Sequence, residues 1–171
     1  PRGARPTTDR VKEAVFSALG GERIQGAIVL DLYAGSGALG IEALSRGAVA
    51  AVFVDRDRGA EIAIRANLRT TDFVERGRLV NSSVASFVAR LPATPQFDEP
   101  FDLVFVDPPY DTANAEVTSV LEALANRGVL GSGATIVMER GRSDAPLTVP
   151  AGWQIEKERS YGDTLIVVAT A

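Results

Sequence analysis

Cysteine and histidine are both absent from the 171 residues of the chain. Their absence excludes disulfides, thiolate nucleophiles, zinc sites built from Cys and His, and catalytic triads that use a histidine base. Apolar runs are also short, and none approaches the ~20 residues of a membrane-spanning helix. We therefore expect a cytoplasmic protein without a membrane partner, whose chemistry uses carboxylates, hydroxyls, amides, Arg, Lys and backbone groups.

The length and the 46% share of hydrophobic residues are those of one globular domain with its own core. The net charge of −4 is unevenly distributed, because residues 1–12 carry +3 and the rest of the chain carries −7. The chain begins with Pro1 and its single methionine is Met138, so we expect further residues before Pro1. We divide the chain into a basic N-terminal arm and helix with a truncated start, residues 1–21, and a main domain, residues 22–171.

Apolar strand patterns alternate with helical periodicity along most of the chain. The predicted strands are 27–33, 49–54, 78–80, 101–106 and 134–138, and the predicted helices are 8–19, 35–46, 60–68, 83–91 and 114–127. Two further strands, 153–158 and 164–168, flank a turn at 160–163. The pattern predicts an α/β fold with a mostly parallel sheet, helices on both faces and a C-terminal antiparallel hairpin. In such sheets ligands bind beyond the carboxyl ends of the strands.

The first strand leads into a glycine-rich segment, residues 31–40, that formally contains the GxGxxG pattern of dinucleotide sites. Asp55 follows Gly35 by 20 residues and could accept the ribose hydroxyls of any adenosine cofactor. Asp31 distinguishes the cofactors, because a carboxylate there would repel the pyrophosphate of NAD. It would instead attract the cationic amino group and sulfonium of S-adenosylmethionine. The pattern therefore favours S-adenosylmethionine, although an NAD site remains tenable.

A second motif, Asp107-Pro108-Pro109-Tyr110, follows the predicted strand at 101–106. An exocyclic amine on a nucleobase is a poor nucleophile, since its lone pair is delocalised into the ring. The Asp107 carboxylate and the Pro108 carbonyl can accept both N–H groups of such an amine and direct its lone pair at a methyl donor. Tyr110 can stack on the base. The motif predicts amino-group methylation, which needs neither histidine nor cysteine.

Together these segments resemble the RsmD-type family of class I methyltransferases, which form N2-methylguanine in small-subunit ribosomal RNA. The resemblance rests on residues 5–14, 30–43, 107–110 and 161–162, and it extends over almost the whole chain. It implies a Rossmann-like fold with a seven-stranded sheet, and S-adenosylmethionine as cofactor, S-adenosylhomocysteine as product and no metal. The implied cofactor-binding residues are Asp31, Tyr33, Gly35, Gly37, Asp55, Ser82 and Asp107, and the implied catalytic residues are Asp107, Pro108 and Tyr110.

The same resemblance implies that the substrate is one guanine of 16S rRNA, within a partly or fully assembled small ribosomal subunit. The predicted RNA contacts are Arg2, Arg5, Arg10 and Lys12, which would bind phosphates and orient the RNA. We expect a monomer. An adenine-N6 methyltransferase on DNA or RNA remains an alternative, because the residue 107–110 motif suits it equally. An NAD-dependent oxidoreductase or a non-catalytic nucleotide-binding module is a further alternative from a different class.

Overall fold

The structure, a computed structural model, describes residues 9–91, 99–142 and 144–171. Two of the predicted RNA contacts, Arg2 and Arg5, lie outside these residues. The strands are β1 (Ile28–Leu32), β2 (Ala50–Asp55), β3 (Gly77–Asn81), β4 (Phe101–Val106), β5 (Leu130–Gly141), β6 (Gln154–Tyr161) and β7 (Thr164–Thr170). The helices are α1 (Asp9–Leu19), α2 (Ala38–Ser45), α3 (Arg58–Thr70), α4 (Val84–Arg90) and α5 (Asn114–Asn126), with a short 3₁₀ turn at Gly21–Arg23.

The strands form one seven-stranded sheet in the order β3-β2-β1-β4-β5-β7-β6. The pairs from β3 to β5 are parallel, and β7 runs antiparallel to both β5 and β6. The chain therefore has the predicted Rossmann-like fold with a C-terminal hairpin. Because β1 lies between β2 and β4, the order reverses there, and the carboxyl ends of β1 and β4 border the crevice in which such sheets bind ligands.

Helices cover both faces of the sheet, and each face has its own apolar cluster. Helices α1, α2 and α3 pack on one face around Phe53 and Phe105, whereas α4 and α5 pack on the other around Leu30 and Val104. Polar caps set where two of these helices begin. Asp57 accepts a hydrogen bond from the Ala60 amide at the start of α3, and the Ser83 hydroxyl accepts one from the Ser86 amide at the start of α4.

The terminal hairpin is tied to helix α1. Lys157 of β6 donates a hydrogen bond to the Ala18 carbonyl at 2.7 Å, and Arg23 pairs with Glu156 at the same distance. Strand β6 is exposed along nearly its whole length, and its charged side chains oppose pairing with a further strand. None of the described helices is both long and apolar enough to cross a membrane.

Gly40 allows α2 to lie close against β1. A Cβ at this position would lie 2.4 Å from Phe53 Cε1 and 3.0 Å from Asp31 Oδ2, and Phe53 is fully buried. We expect Gly40→Ala to lower the free energy of unfolding by about 1–3 kcal/mol, the usual cost of overpacking a core, measured by urea denaturation. Gly21→Ala is the matched control, because nothing lies within 4 Å of the place that its methyl group would take. Equal stability of the two variants would contradict this packing argument.

Candidate active site at the carboxyl ends of the strands

The segment after β1 turns sharply through residues with positive φ. Tyr33, Gly35 and Gly37 have φ values of 60°, 55° and 78°, and Gly37 is the N-cap of α2. Glycine adopts this conformation without strain, whereas an aromatic residue such as Tyr33 does so rarely. The turn brings bare backbone to the edge of the sheet, so a ligand can approach it closely. This is where the sequence predicts the cofactor loop.

Asp31 is a buried carboxyl group beneath this loop. It is 1% exposed, and its Oδ2 accepts a hydrogen bond from the Gly40 amide at 2.9 Å. Burial raises the pKa of Asp31 well above its ordinary value; the Gly40 amide opposes this shift, and the negative charges of Asp107 and Asp55 add to it. A cation bound beside Asp31 would favour its ionised form and so relieve the cost of burying it.

Asp55 lies at the end of β2, and its carboxylate organises the surrounding backbone. Its Oδ2 accepts a hydrogen bond from the Gly35 amide and its Oδ1 accepts one from the Asp57 amide, each at 2.9 Å. Each carboxylate oxygen has a second lone pair, so hydroxyl groups of a ribose could still donate to it. Asp55 thus joins the glycine loop to the start of α3 in addition to its predicted role.

Ser82 follows β3, next to the end of β2. Its amide donates to the Asp55 carbonyl, its hydroxyl donates to the Ser83 carbonyl, and the same hydroxyl accepts from Arg90. The Ser82 hydroxyl therefore already donates its proton to Ser83 and does not have it free for an adenine ring bound at this position. The predicted contact between Ser82 and the cofactor stays a prediction. In such a contact the ligand would donate a hydrogen bond to the hydroxyl oxygen.

Tyr33 packs its ring against the α4 and α5 side of the core and buries its hydroxyl. Within the described residues the hydroxyl oxygen has no hydrogen-bond partner. Burial raises the pKa of Tyr33 to about 12, assisted by Glu116 and opposed by Arg140 and Arg56. The phenol is therefore neutral and keeps its proton available to an acceptor.

The Asp107-Pro108-Pro109-Tyr110 loop leaves the end of β4, between the glycine loop and β5. Pro108 is buried, and a hydrogen bond from the Thr112 amide to the Pro109 carbonyl at 2.9 Å closes a turn. Tyr110 is 60% exposed, which is unusual for so large an aromatic side chain. The loop thus presents a carboxylate, a rigid backbone and an open aromatic face at one place.

Two residues at the end of β5 complete this region, and the sequence did not indicate either of them. Glu139 and Arg140 line one pocket together with Asp107, Pro108, Tyr110, Gly141 and Asp144. The sequence signal for Glu139 is an acidic residue at a strand end, the same signal that identified Asp31 and Asp55. It was missed because the strand was predicted to end at Met138, whereas β5 continues to Gly141.

Arg140 stabilises the position of the segment that follows Tyr110. The guanidinium is buried and donates to the Thr112 carbonyl and the Asn114 side-chain oxygen, and it pairs with Asp144 at 3.1 Å. Asn114 in turn donates to the Ala145 carbonyl. These contacts tie the loop after β4 to the loop after β5, so the pocket has a defined wall on the α5 side.

The described part of the predicted RNA-binding arm belongs to α1. Arg10 is exposed there, whereas Lys12 is partly buried and lies 3.5 Å from Glu42 of α2. Lys12 would have to share its charge between Glu42 and a phosphate. No group of three or more acidic side chains that could hold a metal ion occurs among the described residues.

Comparison with known proteins identifies the family to which the chain belongs. The model of the family described as Conserved hypothetical protein 95 matches residues 1–170. Ribosomal RNA small subunit methyltransferase D of Escherichia coli K12 is 40% identical over 160 residues, which cover 94% of this chain and 76% of that protein. The structure of "Putative methyltransferase yhhF from Escherichia coli" matches with a TM-score of 0.82 and 37% identity, covering 99% of this chain and 88% of the other.

A more distant structure, SMU.776, "a putative methyltransferase complexed with SAH", matches with a TM-score of 0.69 and 15% identity, covering 88% of this chain and 47% of the other. At that identity the likeness concerns the fold alone. The sheet order, the glycine loop after β1 and the Asp-Pro-Pro-Tyr loop after β4 define a class I methyltransferase. Within that class the chain belongs to the family Conserved hypothetical protein 95, the RsmD family.

The partly buried carboxyl of Glu139 makes stability depend on pH. Burial, with the nearby charge of Asp107, raises the pKa of Glu139 from 4.5 to about 8, so the folded chain binds this proton more tightly than the unfolded chain does. Stability contributed by Glu139 is therefore lost as the pH rises from about 4.5 to about 8. We expect Glu139→Gln to melt closer to wild type at about pH 5 and at a relatively higher temperature at about pH 9.

Thermal melting followed by circular dichroism at both pH values measures this difference. Glu158→Gln is the control, because Glu158 lies exposed on β6. A Glu139→Gln offset in melting temperature that is the same at both pH values would contradict the inferred burial of this charge.

Proposed function

We propose that the protein transfers a methyl group from S-adenosylmethionine to the exocyclic N2 amino group of one guanine in 16S ribosomal RNA. Methylation of ribosomal RNA follows from membership of the family, whose curated relatives include ribosomal RNA small subunit methyltransferase D. The single observation that carries the amino-group chemistry is the Asp107-Pro108-Pro109-Tyr110 loop, held beside the glycine loop at the switch point of the sheet.

The residues around the glycine loop fit S-adenosylmethionine. Asp31 is a buried acid whose ionised form needs a neighbouring cation, and the cofactor carries a cationic amino group. Gly35 and Gly37 would let the methionine part lie against the backbone, Asp55 would bind the ribose, and Tyr33 and Ser82 would complete the site. Bound there, the cofactor supplies a methyl group on a positively charged sulfur, and S-adenosylhomocysteine is the product. The same acidic groups would repel the negatively charged pyrophosphate of NAD, which argues against an oxidoreductase.

Asp107 and Pro108 prepare the amine for attack. The carboxylate of Asp107 and the carbonyl of Pro108 accept the two N–H groups, which turns the nitrogen lone pair out of conjugation with the ring and fixes its direction. The amine loses a proton as its new bond to carbon forms, and Asp107 or a water molecule takes it. Because the two prolines make the backbone rigid, it loses little conformational entropy in adopting this geometry.

Tyr110 offers its exposed ring to the target base. The amino edge of guanine is hidden in a duplex, so the base must lie in a loop or be flipped out of its helix. Stacking on Tyr110 would hold the extruded base with its N2 amino group towards Asp107. Base stacking would therefore explain why this large aromatic ring is exposed to water.

The macromolecular substrate that we propose is a partly or fully assembled small ribosomal subunit, bound by a monomer in the cytoplasm. Arg2, Arg5, Arg10 and Lys12 would contact phosphates in the arm at residues 1–21, while residues 22–171 form the methyltransferase domain. Because only a few basic residues face the RNA and the body is acidic, we expect modest affinity for free RNA and a dependence on salt.

Replacing Asp107 by Asn tests the amine-binding step, because the amide presents a donor where the substrate also presents donors. We expect the rate of methyl transfer to fall about 10²- to 10⁴-fold while cofactor affinity changes less, measured with small subunits and labelled S-adenosylmethionine. Asp163→Asn, on the exposed hairpin turn, is the control. Near-normal transfer by Asp107→Asn would overturn the proposed role. Labelled N6-methyladenosine in the digested RNA would instead favour the adenine alternative.

Substitution of Tyr110 separates stacking from the phenolic hydroxyl. Tyr110→Ala removes the ring and should weaken RNA binding by about 1–3 kcal/mol, seen mainly as a higher KM for the small subunit. Tyr110→Phe keeps the ring and should retain most of the activity. If both variants lose activity to the same extent, the hydroxyl and not the stacking surface is what matters.

A further inference from the structure

Glu139 is a partly buried acid in the pocket beside Asp107, and the proposed transfer of the methyl group does not use it. Its Oε2 is buried, and within the described residues it has no hydrogen-bond partner. Most buried polar atoms in folded proteins are paired, and an unpaired one calls for a specific explanation. Because the side chain as a whole is only partly buried and lines a pocket, a donor on a bound ligand is a natural partner for its carboxyl group.

The sheet register places Glu139 next to Asp107. Val106 of β4 pairs with Met138 of β5 in a parallel ladder, so Asp107 and Glu139 are the next residues on neighbouring strands. Neighbouring strands lie ~4.8 Å apart, and residues at matching positions project from the same face. Asp107 and Glu139 also line the same pocket, and the charge of Asp107 contributes to the raised pKa of Glu139. The pocket therefore presents two acceptors side by side.

The neighbouring arginine points elsewhere. Alternate residues of a strand project from opposite faces, so Arg140 projects from the α5 side, where its guanidinium binds Thr112, Asn114 and Asp144. Arg140 is consequently not positioned as the counter-ion of Glu139. Within the described residues, Arg140 therefore does not supply an ion pair for this partly buried acid.

Two adjacent acceptors match two adjacent donors on the Watson–Crick edge of guanine. The N2 amino group is followed on the ring by N1–H, which is also a donor. Adenine has an acceptor at N1 beside its amino group. We infer that Glu139 accepts a hydrogen bond from guanine N1–H while Asp107 and Pro108 hold the N2 amino group, and so selects guanine over adenine. This inference rests on the proposed function and deepens it.

The selectivity follows from what each base leaves unpaired. An oxygen of Glu139 in either protonation state offers a lone pair to N1–H, and the ionised state gives the stronger, charge-assisted bond. A base with a lone pair at N1 can accept from protonated Glu139, but above about pH 8, where Glu139 is ionised, such a base leaves the carboxylate unpaired in a partly buried site. Sites built to hydrogen-bond a substrate group reject analogues that lack it much more strongly than apolar pockets reject size differences.

The test compares guanosine with 2-aminopurine riboside at the position that the wild-type enzyme methylates, located first by mass spectrometry of the reacted 16S rRNA. 2-Aminopurine keeps the 2-amino group but has an acceptor at N1. The ratio of kcat/KM for the two substrates, both assembled into small subunits and assayed at about pH 8.5, where Glu139 is mostly ionised, measures the discrimination. We expect Glu139→Gln, whose amide can accept or donate, to reduce this ratio at least about 10-fold relative to wild type. Glu139→Ala should reduce it as well, chiefly through loss on guanosine.

Glu158→Gln, on exposed β6, is the carboxylate-to-amide control and should keep the wild-type ratio. Thermal melting and S-adenosylmethionine binding by each variant establish that the fold and cofactor site are intact, and Glu139→Gln preserves the side-chain volume. N2-methylguanosine formation with an unchanged ratio in Glu139→Gln overturns this inference alone. Wild-type reaction without N2-methylguanosine overturns the proposed function and this inference with it.

Discussion

One hydrogen bond in the core, from the Gly40 amide to the buried Asp31 carboxyl, fixes how α2 sits on β1. The bond is possible because Gly40 has no side chain to meet Phe53, so helix and strand approach closely. The loop that joins these two elements then has little freedom, and it closes through the residues with positive φ. The cofactor loop is therefore a consequence of packing one helix tightly against one strand.

The fold gathers acidic groups at one edge of the sheet. Asp31, Asp55, Asp107 and Glu139 lie at or near the carboxyl ends of four strands, and parallel pairing brings these strand ends together. Burial and mutual repulsion raise the pKa of Asp31 and of Glu139, so holding these groups in their ionised forms costs the free protein stability. Such an arrangement is retained where ligands supply the missing cation and donors.

Much of this could be predicted from the sequence, because strand-end acids and glycines stand out in a linear pattern. Asp31, Asp55 and Asp107 were identified in that way, and the strand order is that of the predicted fold. The end of β5 was not, since its apolar run stops at Met138 while the backbone pairing with β7 continues to Gly141. The hairpin turn was also placed too early, as Tyr161 still pairs with Thr164 and the turn is confined to residues 162 and 163. The periodicity of apolar residues within one segment does not show how far that segment pairs with another strand.

The contacts of Arg140 and Ser82 show a second limit of sequence reasoning, because their partners are set by tertiary structure. Arg140 meets Asn114 across 26 residues, and Ser82 meets Arg90 only once α4 has formed. These contacts also divide the site. The strands β1, β2 and β3 carry the candidate cofactor residues, whereas β5 carries Glu139 and Arg140. Asp107 directly follows β4, the strand between the two groups, so in the proposed reaction it would lie between the methyl donor and the base. The proposed role of Asp107 thus depends on its position between these strands as well as on its carboxylate.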